Sequence, residues 1–252
     1  MLWTQTPISP ATTSKSALDY HLIPIDLNGA DNGEPLVQVH EFGIKSRSAY
    51  ALSSPPYHHS FHNAQQVPLL RETVARKLTD VNGRLAPYGV QVLVLDGFRS
   101  VALQQELWSY FIEVARALMP AATEVELVAY VGQYWSDPRE YDSDDYRTWP
   151  THNTGGAVDL TLQYLESGQD LFMGSIFDDS HPVSSTRYFE NDKLCSLSSA
   201  EARKNRRLLY HAMHDCGFHN YHHEWWHYDF GTQMAIMSGA PEKIARYGLA
   251  IQ

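Results

Sequence analysis

The sequence predicts a single domain of mixed helices and strands, on three observations. Apolar residues recur at helical spacing in several separate stretches, two short apolar runs read as strands, and no Pro/Gly/Ser-rich run divides the 252 residues. An apolar fraction of 43% supports a real core. The net charge of -10 argues against nucleic acid or an anionic membrane as the main partner.

Residues 1–40 are rich in Pro, Ser, Thr and Asn with little periodicity and read as an N-terminal arm, partly irregular, ahead of a single domain over 41–252. The opening residues carry no basic segment followed by an apolar one, and no 18-residue apolar run occurs, so a cytoplasmic location off the membrane is expected. Cys195 and Cys216 are too few for a disulfide framework and lack zinc-thiolate spacing, so both read as free thiols. The loop over 53–62 holds His58, His59 and His62 with no carboxylate beside them, which reads as a surface or packing role.

Leu69, Leu70, Val74, Leu78, Val81 and Leu85 predict a helix over 67–86, stopped by Pro87 and Gly89. A buried strand over 92–95 follows and runs into Asp96-Gly97-Phe98-Arg99-Ser100, ahead of helices over 101–118 and 123–134. Arg99 thus stands where a strand ends and a helix begins, a common point of entry into a cleft, although an ordinary surface arginine fits the same position.

After a polar stretch, a second strand is expected over 157–162. Alternation sets Asp159 with Ala157 and Thr161 on the face opposite Val158, Leu160 and Leu162. Gly155 and Gly156 let the backbone turn tightly, so that His152 and Asp159 can converge on one ion; a structural, hydrogen-bonded aspartate fits that spacing as well. A helix over 199–216 carries the stripe Leu208, Leu209, Ala212 and Met213 and ends at Gly217, and a last helix is expected from Met234 toward Tyr247-Gly248-Leu249.

The richest chemistry lies between Gly217 and Gly231, where four histidines surround Glu224, Trp225 and Trp226. Imidazoles packed around one acid and shielded by tryptophans read as the wall of a metal site. Two arrangements compete. His223-Glu224-Trp225-Trp226-His227 matches the helical H-E-x-x-H zinc motif, but the aromatic content and the flanking Gly217, Asn220 and Gly231 disfavour a long helix, and His152 and Asp159 are left without a purpose. Alternatively, His152, Asp159 and His227 are three zinc ligands that leave a fourth position for water, with Glu224 as general base. Zinc lowers the pKa of such a water to about 7. In an extended segment strict alternation separates Glu224 from His227, so this arrangement requires Glu224 at the strand's start or at a bulge.

His152 with Asp159 in Ala157-Val158-Asp159-Leu160-Thr161-Leu162, Met173-Gly174-Ser175, Phe177-Asp178, Asn205-Arg206-Arg207-Leu208-Leu209, Gly217-Phe218 and Glu224-Trp225-Trp226-His227 together resemble the D-alanyl-D-alanine dipeptidases of the VanX type, over roughly 92–230. The resemblance implies a hedgehog/D,D-peptidase-like fold, an α+β domain whose small, mainly antiparallel sheet carries the zinc site with helices packed on its other face. It implies one Zn2+ per chain on His152, Asp159 and His227, Glu224 as catalytic base, and Arg99 as stabiliser of the developing oxyanion. Asp178 falls where the family pairs an acid with the substrate ammonium, and a plain turn acid is the competing reading. Thr151 keeps a hydroxyl at a substrate-binding position. The chain departs from the family where Pro150 and Thr151 replace serines ahead of the zinc histidine and Asn153-Thr154 replaces a Ser-Arg pair. The expected reaction is hydrolysis of D-alanyl-D-alanine or related small D,D-dipeptides to free D-amino acids. The alternatives are a D,D- or L,D-carboxypeptidase acting on peptidoglycan peptides and a non-catalytic, zinc-stabilised binding module. Tyr221 and His223 read as structural.

Overall fold

The computed structural model describes residues 2–10, 19–191 and 193–250. Seven strands and five α-helices occur among them, in chain order β1 (Leu36–Gln38), β2 (Lys45–Ser46), β3 (Leu69–Arg71), α1 (Glu72–Leu85), β4 (Val90–Asp96), α2 (Val101–Leu118), α3 (Glu124–Val131), β5 (Ala157–Tyr164), α4 (Leu197–Asp215), β6 (His219–Asn220), β7 (His227–Asp229) and α5 (Gln233–Met237). The main sheet has the order β2-β4-β5-β7-β6, in which only the β2–β4 pair is parallel. The sheet is therefore small and mainly antiparallel, as expected, and β1 and β3 form a separate antiparallel pair.

Most helices follow the apolar spacing. α1 buries Val74, Ala75, Leu78, Val81 and Leu85, one stripe of a 3.6-residue period. α2 begins where Ser100 accepts a bond from the Leu103 N–H, and α3 begins at a capping box between Thr123 and Glu126. α4 buries Ala202, Leu208, Leu209, Ala212 and Met213, then ends ahead of Gly217 at φ +84°.

Two expectations fail. The helix expected from residue 67 starts only at Glu72, because Leu69 and Leu70 belong to β3, and the Leu69 carbonyl accepts from the Phe98 N–H at 2.7 Å. Two adjacent leucines fit a strand as well as a helix stripe. The helix expected toward the tail covers only Gln233–Met237, since Ser238, Gly239 at φ +110° and Pro241 stop it.

β5 is the centre of the molecule. Val158, Leu160 and Leu162 join Val92, Val94, Leu78, Leu209 and Met213 in the main core, against which α1 and α4 pack. Burying a side chain of that size contributes about 1.5–3 kcal/mol. The alternate residues Ala157, Asp159 and Thr161 are buried under the opposite side. Register then aligns the polar ones, since Asp159 pairs with His227 across β7 and with Asp96 across β4, where the β4 register shifts. Cys195 and Cys216 are free thiols. Among the described residues no helix is long and apolar enough to cross a membrane.

Candidate metal centre

A tight turn delivers the first candidate ligand. Residues Thr151–Thr154 form a single 3-10 turn closed by Gly155 at φ +72°, a backbone region that suits glycine. Three hydrogen bonds stitch this turn to the segment after β4: the His152 Nδ1–H donates to the Gly97 carbonyl at 2.8 Å, the Arg99 N–H donates to the His152 carbonyl at 3.2 Å, and the Asn153 amide donates to the Arg99 carbonyl at 2.5 Å. His152 and Arg99, far apart in sequence, are fixed side by side. Gly97 permits it, because a Cβ there would run into the Leu69 carbonyl.

The His152, Asp159 and His227 donor atoms all lie within 4.8 Å of one another, and all three residues are buried. His152 Nε2 stands 3.2 Å from His227 Nδ1 and 3.4 Å from Asp159 Oδ2, and His227 Nδ1 stands 3.0 Å from Asp159 Oδ1. Tetrahedral zinc with bonds of about 2.0–2.1 Å needs donor separations of roughly 3.3–3.4 Å. The chemistry agrees with the spacing. His152 gives its Nδ1 proton to Gly97 and so turns its Nε2 lone pair toward the Asp159 carboxylate, and His227 does the same through Nδ1 in the tautomer that donates from Nε2 to Asp229 at 2.8 Å. Three lone-pair donors facing one point repel unless a cation lies between them, and these residues fit zinc.

Glu224 sits in the turn ahead of β7, not within the strand and not on a helix. Its N–H donates to the Tyr221 carbonyl and its own carbonyl accepts from the His227 N–H. That turn meets the condition set by strand alternation and brings a Glu224 oxygen to 3.8 Å from His227 Nδ1. The helical H-E-x-x-H arrangement is absent, since His223 is exposed and stacks on His222. Trp225 and Trp226 are buried beside the site, with the Trp225 indole N–H donating to Ser175 at 2.9 Å.

Arg99 is buried, with Nε and Nη2 donating to Asp96 at 3.2 and 2.8 Å, Nη1 to Gln104 at 3.0 Å and Nη2 to the Tyr50 hydroxyl at 3.2 Å. Four of its five N–H groups are thereby engaged, and one on Nη1 is left. The ordinary surface arginine is excluded. Asp178 accepts hydrogen bonds from Tyr50 at 2.8 Å and from Tyr57, and its backbone holds φ +58°, a left-handed conformation that a non-glycine residue adopts only under restraint. The restraint comes from the surrounding motifs: the buried Arg206 guanidinium ties the carbonyls of Met173, Val183 and Ser185 together around this loop. Thr151 also lines the cleft, and its hydroxyl proton goes to the Asp229 carboxylate at 2.6 Å.

His152, Asp159, His227, Glu224, Arg99 and Asp178 line one small cleft of about 60 Å³, whose remaining wall includes Tyr134, Trp135 and Pro150. Burial pushes the Glu224 carboxyl up to about 8, with the neighbouring His227 opposing the shift. Burial likewise pushes Asp178 up to about 7, and the Asp159 charge adds to it.

Sequence reasoning missed Tyr50, Tyr57, Asp96, Gln104 and Asp229. Tyr57 lies in the three-histidine loop, whose histidines are exposed as expected while Tyr57 and Phe61 are buried. Asp229 alone had a usable signal, since it shares a strand face with His227 two residues earlier.

The chain is similar to several known proteins. A D-alanyl-D-alanine dipeptidase from Synechocystis sp. is 29% identical over 231 residues, spanning 85% of this chain and 87% of the relative. One from Enterococcus faecalis is 40% identical over 78 residues, 31% of this chain and 35% of the relative. A solved structure of VanYB in complex with D-Alanine-D-Alanine aligns at a TM-score of 0.42 and 16% identity, covering 73% of this chain and 83% of that one. Residues 35–246 match the model of peptidase family M15, described as D-ala-D-ala dipeptidase, and the chain belongs to that family.

Proposed function

We propose that this chain is a zinc-dependent dipeptidase that hydrolyses D-alanyl-D-alanine, or a closely related D,D-dipeptide, to free D-amino acids. The observation that carries the reading is the convergence of His152 Nε2, His227 Nδ1 and the Asp159 carboxylate at tetrahedral spacing, with Glu224 beside them. Zinc held there supplies an acidified water and polarises the scissile carbonyl.

The protein's residues do the rest. Glu224 takes the proton of the attacking water and delivers it to the leaving amine, a role suited to a carboxyl whose pKa burial has raised toward the working pH. Arg99, held by Asp96, Gln104 and Tyr50, offers its remaining Nη1 proton to the oxyanion, a contribution of a few kcal/mol for such donors. Asp178 pairs with the substrate's free ammonium, and the Tyr50 and Tyr57 hydroxyls orient it. Asp178 in the wall of this small cleft suits a substrate whose free ammonium lies close to the scissile bond. Thr151 supports the site through Asp229. A non-catalytic module needs neither Glu224 nor Arg99 in the cleft.

The test is an assay of the purified zinc protein against D-Ala-D-Ala, L-Ala-L-Ala and a longer peptide ending in D-Ala-D-Ala. Cleavage of the first alone supports the proposal. Preference for the longer peptide would replace it with a carboxypeptidase, for which Pro150 in the cleft wall gives the opening.

A further inference from the structure

We propose that Asp229, clamped by Thr151 and Thr232, is a positioning residue that makes His227 a metal ligand by fixing which ring nitrogen keeps the proton. The inference rests on the reading that His152, Asp159 and His227 hold the metal.

His227 lies between two carboxylates. Its Nδ1 is 3.0 Å from Asp159 and its Nε2 is 2.8 Å from Asp229. A neutral imidazole has one proton to give, and the two acids compete for it. If the proton goes to Asp159, Nδ1 is blocked and the ring cannot bind a cation there. If it goes to Asp229, Nδ1 is free.

The surroundings of Asp229 decide the contest. Its side chain is fully buried, where an unpaired carboxylate is costly. Oδ1 accepts from the Thr151 hydroxyl at 2.6 Å and from the Thr232 hydroxyl at 2.7 Å, and Oδ2 faces His227. The Thr232 oxygen also caps α5 by accepting from the Ala235 N–H at 3.0 Å, which turns its proton toward Asp229. With two hydroxyl donors on Oδ1, the group is held as an acceptor, and Nε2–H of His227 is the third donor it needs. The three donors come from separate elements: the turn before β5, the cap of α5, and β7 itself. Asp229 therefore ties the tautomer of His227 to the packing of the fold. The Thr151 hydroxyl proton has its acceptor here.

The experiment measures zinc affinity by competition with a chromophoric chelator, on protein shown to be folded by circular dichroism. Asp229→Asn keeps volume and removes the charge that holds the Nε2 proton, and zinc should bind ~10- to 100-fold more weakly. Thr151→Val leaves the carboxylate but frees one side of it, with an expected loss of roughly three- to tenfold. Zinc affinity within twofold of the unmodified chain in both variants overturns the proposal. Should Asp229→Asn fail to fold, Thr151→Val decides alone. Failure of the unmodified chain to bind zinc would instead overturn the assignment of the three ligands.

Discussion

Replacing Asp178 with Asn tests how the site tells a dipeptide from a longer peptide. The substitution keeps an oxygen for the Tyr50 and Tyr57 hydroxyls and removes only the charge. A charge-assisted bond to an ammonium beside this buried carboxyl is worth about 1.5–3 kcal/mol. At tenfold per 1.4 kcal/mol, the free dipeptide should be used about one to two orders of magnitude less well. The ammonium is paired equally in ground and transition states, so the loss should fall on KM with kcat nearly unchanged. The pH dependence gives a second reading of the same pair. Burial has pushed the Asp178 carboxyl up to about 7, so it is a carboxylate above that pH and neutral below it. The substrate amine, with a pKa of about 8, is charged over the same acid side. As pH falls through 7, KM for D-Ala-D-Ala should rise, and in Asp178→Asn that rise should vanish. Steady-state kinetics from pH 5.5 to 8.5 on both proteins, with N-acetyl-D-Ala-D-Ala as a second substrate, make the assay. An unchanged KM in the variant, or acetylated dipeptide cleaved as well as the free one, would refute the reasoning.

Further outcomes follow from the same geometry. Glu224→Gln should retain zinc and fold but lose turnover by ~10²- to 10⁴-fold, read by single-turnover kinetics beside metal analysis. His152→Ala should abolish bound zinc while His223→Ala, at an exposed residue stacked on His222, should leave it, as measured by inductively coupled plasma spectrometry. Leu78, fully buried between α1 and the sheet, should cost about 2–5 kcal/mol of stability when replaced by Ala, measured by urea unfolding, with zinc binding preserved in the folded fraction.

The parts of the site legible in the sequence were those whose chemistry is local. His152 and Asp159 share one strand-and-turn unit, and Glu224 and His227 share one turn, so the members of each pair are close in sequence, while the resemblance to the VanX-type dipeptidases joined the two pairs into one site. The demand that Glu224 leave strict alternation was also readable, and the turn before β7 satisfies it. The supporting residues were hidden because their contacts span the chain. Tyr50 and Tyr57 reach Asp178 from more than a hundred residues away, and nothing in the loop over 53–62 marks Tyr57 as different from its neighbours. The link from Thr151 to Asp229, 78 residues on, was hidden for the same reason. In the fold, the helices with a clean stripe and a cap were located closely, whereas Leu69-Leu70 and the stretch after Met234 offered periodicity that pairing and Pro241 overrode.

The central claim is that the metal held by His152, Asp159 and His227 drives hydrolysis of a D,D-dipeptide. The most direct measurement is D-alanine release from D-Ala-D-Ala by the purified chain, followed through removal of metal with a chelator and return of zinc. The expected result is one zinc per chain, release that stops when the metal is removed and resumes when zinc is restored, and no release of L-alanine from L-Ala-L-Ala. D-alanine release that persists without the metal, or a zinc-loaded chain that leaves D-Ala-D-Ala intact, would contradict the account.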